Sequence, residues 1–195
     1  LVSDILMPPL GMAMGGVESL ACDLTGAEGI AEVRERIGTY QDGGDDVWKT
    51  GGGWSMSDFP GGTPTAELLD SVVPDRPAYL LNRDHHGAWV NSAALRLAGI
   101  TAQTPDPSDG RIERDASGNP TGTLHEGAMD LVNAFIPEPD SATLGAALLA
   151  GQSYLHSFGV TGWQEAILGA YAGYSDVSPA YRALYAKGLV TGQAA

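Results

Sequence analysis

Cationic side chains are scarce: ten Lys and Arg stand against 24 Asp and Glu in 195 residues, for a formal charge of −14. A surface this acidic is repelled by phosphate backbones and anionic lipid, which excludes nucleic acid and membrane surfaces as partners. Cysteine is scarcer still. Cys22 alone forms no internal disulfide, no Cys-x-x-Cys redox pair and no cysteine-based zinc site. A lone thiol fits a reducing compartment, so a cytoplasmic location is expected. No run approaches the ~20 apolar residues that a membrane-spanning helix needs. The first 21 residues are fairly apolar but hold Asp4 and Glu18 and no Lys or Arg, so they lack the basic start of a signal peptide. The chain starts at Leu1, and a processed, truncated or partial product is expected. Neither a Gly-x-Ser-x-Gly elbow nor a His-Glu-x-x-His zinc motif occurs.

Hydrophobic residues make up 43% of the chain, enough for a real core in one large domain or two small ones. Thr25 and Glu28 have the spacing of a capping box ahead of Ile30, Val33 and Ile37, which predicts a helix over 27–41. A short strand is expected at 47–50, followed by the run Gly51-Gly52-Gly53-Trp54 and then a loop through Asp58 to Gly62. Thr63 as N-cap with Pro64 in the first turn predicts a helix over 66–72. Pro77 to Asn82 reads as a buried strand, and Asn91 to Ala98 as a helix stopped by Gly99. Residues 111–114 and 121–124 flank a Gly-containing turn and predict a hairpin. Glu126 to Phe135 reads as helical. Asp140 or Ser141 caps a long helix reaching Phe158, with Gly159 as its stop. A strand at 160–164, a helix from Ser178 to Gly188 and a strand from Leu189 follow. This alternation implies parallel strands joined by helical crossovers. The irregular middle reads as an insertion, giving three regions: 1–44, 45–125 and 126–195.

Two polar clusters could carry chemistry. Asp84-His85-His86 directly follows a predicted strand, where α/β proteins place site residues. Such a group can ligate a metal, move a proton or hold a substrate oxygen, and it can equally be a solvated loop. Adjacent His residues on extended backbone point to opposite faces, so at most one looks into a given site. His125-Glu126 is the second cluster. Glu126 is either a first-turn carboxylate favouring a helix N-terminus or a metal ligand or general base. Gly51-Gly52-Gly53-Trp54 lacks the phosphate-loop pattern; its glycines let backbone pass close to another element, with Trp54 as a cover. His156 reads as a C-terminal helix residue, and Cys22, without a basic neighbour in sequence, as inert.

Several blocks, in order, resemble one family: Gly53-Trp54, Thr63-Pro64-Thr65, Pro74-Asp75-Arg76-Pro77, Asp84-His85-His86-Gly87-Ala88-Trp89-Val90-Asn91-Ser92, Ala98-Gly99-Ile100-Thr101, Gly118-Asn119-Pro120-Thr121-Gly122 and Glu126. The chain resembles the amidohydrolase superfamily, in the family 3 branch of N-substituted formamide deformylase-like, metal-dependent hydrolases. The resemblance implies an α/β fold, the first strands and helices of a (β/α)8 barrel with an inserted α+β subdomain. It also implies a divalent metal, usually zinc, that activates water against an amide-like C–N bond of a small molecule. It puts Trp54, Asp84, His86 and Asn91 in the substrate pocket and makes Glu126 a metal ligand. One departure is direct: where the family carries a His-x-His metal pair, this chain has Leu6 and Pro8, which cannot ligate. The later His ligands and the catalytic Asp of the family would lie past Ala195.

Three functions therefore stand side by side. The chain belongs to a metal-dependent amidohydrolase; or it is a metal-free relative or fragment that serves as a scaffold or binding protein; or the tryptophan-rich middle (Trp48, Trp54, Trp89) marks an unrelated small-molecule binding domain. A barrel cut after two or three strands leaves an open strand edge, so a homodimer that covers it is expected.

Overall fold

The computed structural model describes residues 11–41, 47–164 and 176–194. It divides into two compact units, one from Ala21 to Ile136 and one combining helix α1 (Gly11–Leu20) with the residues from Pro137 onward.

The 21–136 unit is built on a six-stranded sheet. Strands β1 (Cys22–Asp23), β2 (Lys49–Trp54) and β3 (Ala78–Asn82) run parallel. Strands β4 (Gly87–Val90), β5 (Gly110–Arg114) and β6 (Pro120–Glu126) continue it antiparallel, in the order β1-β2-β3-β4-β6-β5. Among the described residues the sheet is open, with β1 and β5 at its edges. Every residue of β3 is buried, which explains its unbroken apolar run: both faces of a central strand are covered. Leu80 and Trp89 face Leu24, Trp54, Phe59 and Leu69, together with Val33 and Ile37 of helix α2 (Gly29–Thr39). Tyr79, Leu81, Val90, Ile112 and Leu124 face Ala94 and Leu95 of helix α4 (Ser92–Leu97) and Val132 of helix α5 (Asp130–Asn133). Helix α3 (Ala66–Asp70) closes the first of these faces through Leu69. Each fully buried aliphatic side chain here contributes about 1.5–3 kcal/mol.

The glycine run lies in strand β2, which continues past the expected 47–50 strand to Trp54. A Cβ on Gly51 would lie 2.2 Å from the Cys22 carbonyl oxygen, so β1 approaches β2 only because that position is bare. Gly53 takes φ +98° at a register shift between Gly52 and Trp54, a conformation that favours glycine.

In the other unit, helix α6 (Ser141–Ser157) follows Asp140, whose Oδ1 accepts the Thr143 N–H at 2.7 Å. Strands β7 (Gly162–Trp163) and β8 (Gln193–Ala194) pair in parallel, and helix α7 (Ser178–Ala186) lies between them in sequence. The predicted parallel alternation is thus present. Leu144, Leu148, Leu155, Trp163, Ala180 and Leu184 form its core. Helix α1, unforeseen because of its three glycines, packs on α6: a Cβ on Gly16 would overlap the Ala147 backbone at 1.9 Å. No helix of the described residues is long and apolar enough to cross a membrane.

Several local expectations shift. The first helix of the 21–136 unit starts at Gly29 with Glu28 as its cap, and Glu28 donates its N–H to Glu32 Oε2 instead of pairing with Thr25. Helix α3 is capped by Thr65, not Thr63, because residues 63–65 are extended and the Pro64 carbonyl accepts the Thr123 hydroxyl. Strand β4 went unpredicted, and Glu126 ends a strand instead of starting a helix. The expected boundaries at 44/45 and 125/126 both fall inside the 21–136 unit, since β1 and α2 share the core of the middle segment. The expected 111–124 hairpin is present. Its turn is held by Asp115 Oδ1, which accepts the N–H groups of Ser117 and Asn119 at 2.8 Å.

Candidate functional site

Parallel strands β2 and β3 both finish at one end of the sheet, and the polar residues of interest collect there. The chain leaves β3 at Asn82, turns through Arg83 to His86 and returns as β4. Asn82 braces this turn by accepting the Gly87 N–H on Oδ1 at 3.0 Å, while the Arg83 N–H reaches the Trp54 carbonyl at 2.9 Å. Asp84 is exposed and turned back on its own loop, its Oδ1 accepting the His86 N–H at 3.1 Å. His85 sits at φ +65°, an uncommon conformation for a residue with a Cβ, and burial holds its imidazole below the usual histidine range.

His86 and Glu126 meet across this end. The His86 Nδ1 lies 3.0 and 3.2 Å from the two Glu126 carboxylate oxygens, and the Glu126 N–H donates to the His86 carbonyl at 3.3 Å. Hydrogen bonding to Glu126, then its negative charge, raises the His86 pKa. Both side chains are open to solvent, 68% and 55% exposed. Glu126 adopts φ +50°, so one left-handed residue belongs to this pair and another, His85, directly precedes it.

A second His–carboxylate pair lies beside the first. His125 Nε2 is 3.1 Å from Glu113 Oε1, and the same oxygen is reached by the Arg111 guanidinium. This pair is more enclosed, at 17% and 22% exposure. The hairpin register sets it up: His125 stands opposite Arg111, with Glu113 two residues along the same strand. Reading the predicted hairpin as a register would have found Glu113 from sequence; Asn82, at the end of a buried strand, gave no signal.

The remaining expected site residues are interior. Trp54 is 1% exposed, donates its indole N–H to the Leu80 carbonyl at 2.8 Å, and packs edge-on against Phe59 and Trp89. Asn91 is fully buried with its amide committed: Oδ1 accepts from Ala78 and Ala94 at 3.0 Å, and Nδ2 donates to Val73 and Arg76 carbonyls at 2.9 and 2.8 Å. Asn91 thus caps α4 and ties three segments together, leaving no amide position for a ligand. Cys22 is buried, and desolvation pushes its thiol up to about 11, which makes it unreactive.

Among the described residues no three His, Cys, Asp or Glu side chains converge on a metal position. Glu126 has one such neighbour, His86. Leu6 and Pro8, at the positions of the family's metal pair, lie outside the described residues. The residues described here therefore do not fit a complete metal centre. What they provide is an oriented imidazole–carboxylate pair at the surface and another, half-buried, beside it.

Comparison with known proteins gives this arrangement its context. The sequence profile of the amidohydrolase family matches residues 12–191. Protein LONG AFTER FAR-RED 3 of Arabidopsis thaliana is 34% identical over 148 residues, covering 75% of this chain and 25% of that protein. N-substituted formamide deformylase of Arthrobacter pascens is 51% identical over 71 residues, 36% of this chain and 13% of that protein. An uncharacterized metal-dependent hydrolase from Pyrococcus furiosus superposes with a TM-score of 0.60 at 24% identity, over 96% of this chain and 36% of that one. The match thus spans a quarter or less of the curated relatives named here. With nearly its whole length matched by one profile, the chain belongs to the amidohydrolase family, in the branch that includes the N-substituted formamide deformylases.

Proposed function

We propose that this chain serves a metal-dependent amidohydrolase that cleaves a non-peptide C–N bond, of amide or formamide type, in a small molecule. In this reading β1–β3 and β7–β8 are strands of a (β/α)8 barrel, and the antiparallel strands β4–β6 belong to an insertion. The observation that supports it best is the clustering of two His–carboxylate pairs where the parallel strands β2 and β3 end, in a chain of this family. A divalent metal in the whole enzyme would take Glu126 as one ligand, the described residues not completing its set, and would supply an activated water and a polarised carbonyl. This chain's own contribution is narrower. His86, held by Glu126, can exchange a proton at the mouth of the site, and the half-buried His125, held by Glu113, can fix a substrate group. Trp54, opposite Asn82, packs beneath this end of the sheet, while Asn91 holds the start of β3 and the cap of α4 at the far end of the same strand pair.

Metal content of the purified 195-residue protein, by elemental mass spectrometry after dialysis without chelator, tests this directly. A bound divalent ion, together with amine release from an N-substituted formamide that stops on chelation, would support this reading. No metal and no turnover would favour the alternative, a scaffold or binding protein of the same family, for which Leu6 and Pro8 are the sequence argument. A homodimer covering an open sheet edge belongs to the same proposal and is read by light scattering.

A further inference from the structure

We infer that residues 104–109 are a strap over a self-complementary strand edge: β5 can pair antiparallel with β5 of a second copy of this chain, and the Asp106–Arg114 contact holds that edge closed. The inference rests on strand geometry and stands apart from the hydrolase reading. Strand β5 is last in the sheet, so every second residue turns its backbone N–H and C=O away from β6. The strap and Arg114 already bond those outward groups. The Gly110 N–H donates to the Pro107 carbonyl at 3.3 Å, and the Ile112 N–H donates to Asp106 Oδ1 at 3.3 Å. The Ile112 carbonyl accepts from the Arg114 guanidinium at 3.0 Å. The same guanidinium ties the strap down, donating to Asp106 Oδ1 at 2.6 Å and to the Thr104 carbonyl at 2.5 Å. Pro105 and Pro107 flank Asp106 and have no N–H, so the strap covers the edge without becoming a new strand to add to.

Beneath the strap lies a strand whose charges match a copy of itself. Ile112 is the central outward-bonding residue of Gly110–Arg114. Two such strands meeting antiparallel at Ile112 exchange both backbone bonds there and set Arg111 of each copy opposite Glu113 of the other. Opposite charges thus face each other twice, on the side of the strand away from the Ile112 side chain, which is 2% exposed in the sheet's own core. The strap is held by polar contacts alone. Pro105, Asp106, Ser108 and Asp109 are exposed, and no residue of 104–109 belongs to a hydrophobic core. Lifting it therefore breaks hydrogen bonds and one ion pair without uncovering apolar surface. While it is in place, β1 is the other edge that a homodimer of the intact chain would have to use.

Amide hydrogen exchange at Ile112 and light scattering, on the 195-residue chain over a concentration series, test this together. In the parent the Ile112 N–H is expected to be protected at every concentration. Asp106→Ala removes its acceptor, and exchange about tenfold faster is expected in dilute solution. As the variant is concentrated, protection at Ile112 should return while the mass rises to twice that of the parent. Adding Arg111→Glu sets like charges opposite each other across the paired strands and is expected to abolish the association while leaving Ile112 unprotected. Should Asp106→Ala lose the fold, Arg114→Ala, which removes the other anchor of the strap, is read in the same way. An Ile112 amide that exchanges freely in the parent, an opened variant that keeps the parent's mass at every concentration, or an association that Arg111→Glu leaves intact would overturn the proposal. Metal content and turnover enter none of these readouts, so their failure strikes the hydrolase reading alone.

Discussion

Residues 83–86 and 87–91 belong to one continuous motif, yet the fold puts them to opposite uses. The first stretch is a turn that leaves Asp84 and His86 in solvent, with a strained His85 between them and His86 reaching across to Glu126. The second is a central strand and a helix cap: Ala88, Trp89, Val90 and Asn91 are wholly buried, and the Asn91 amide makes four hydrogen bonds. Adjacent residues of one recognisable block thus divide into exposed and fully buried according to which side of Gly87 they fall on. Burial decides the division. A buried amide must be fully paired and so has nothing left for a ligand, whereas an exposed pair holds weakly and stays available.

The sharpest way to break this contrast is to remove a scaffold amide. Asn91→Ala strands two backbone N–H groups and two carbonyls in the interior and is expected to lower stability by about 3–5 kcal/mol, read by urea denaturation. Trp89→Phe deletes the indole N–H bond to the Thr65 carbonyl and part of the contact with Trp54 and Phe59. A loss of about 1–3 kcal/mol is expected from the same measurement. Cys22 sharpens the scaffold side without a stability change. Its buried thiol, with a pKa near 11, is expected to resist an aromatic disulfide reagent at pH 8 and to react fully once urea unfolds the chain.

On the exposed side the effects are small and carry a pH signature. His86→Gln is expected to cost under about 1 kcal/mol, as for other solvent-exposed ion pairs. The pKa of His86 is raised by folding, so its contribution is complete below the unfolded-state value and fades as pH rises through the folded value. The stability gap between the parent and His86→Gln chains should therefore be widest in mildly acidic buffer and close on the alkaline side. His85 has the opposite sign: its folded pKa is lowered by burial, so its contribution is present above the unfolded value and is lost as pH falls through the folded one. A gap for His86→Gln that instead widened with rising pH would show that the Glu126 contact is not made in solution.

Much of the frame was legible because it follows local rules. The Pro77–Asn82 strand, the 111–124 hairpin, the Asp140 cap and the helix stops at Gly99 and Gly159 follow from apolar runs, short polar caps and glycine's tolerance of positive φ. The family was legible too, from an ordered series of short blocks. Less visible were elements whose signal is a neighbour distant in sequence. Helix α1 and the strand through Gly51–Gly53 contain glycines that argue against both until the partner backbone at Ala147 or Cys22 is seen to need the space.

The sequence by itself settled the charge balance, the lack of cysteine chemistry, the α/β alternation and the family, since each is carried by composition or by residues close along the chain. Which polar residues meet was decided only by the tertiary structure. His86 finds Glu126 forty residues away, and His125 finds Glu113 through hairpin register. Asn91 and Trp54, which the motif alone could not tell from pocket residues, are assigned to the interior by the sheet and helices that close over them. Spacing along a chain specifies periodicity, but the distance between side chains, and the water left between them, is set by how the strands pack.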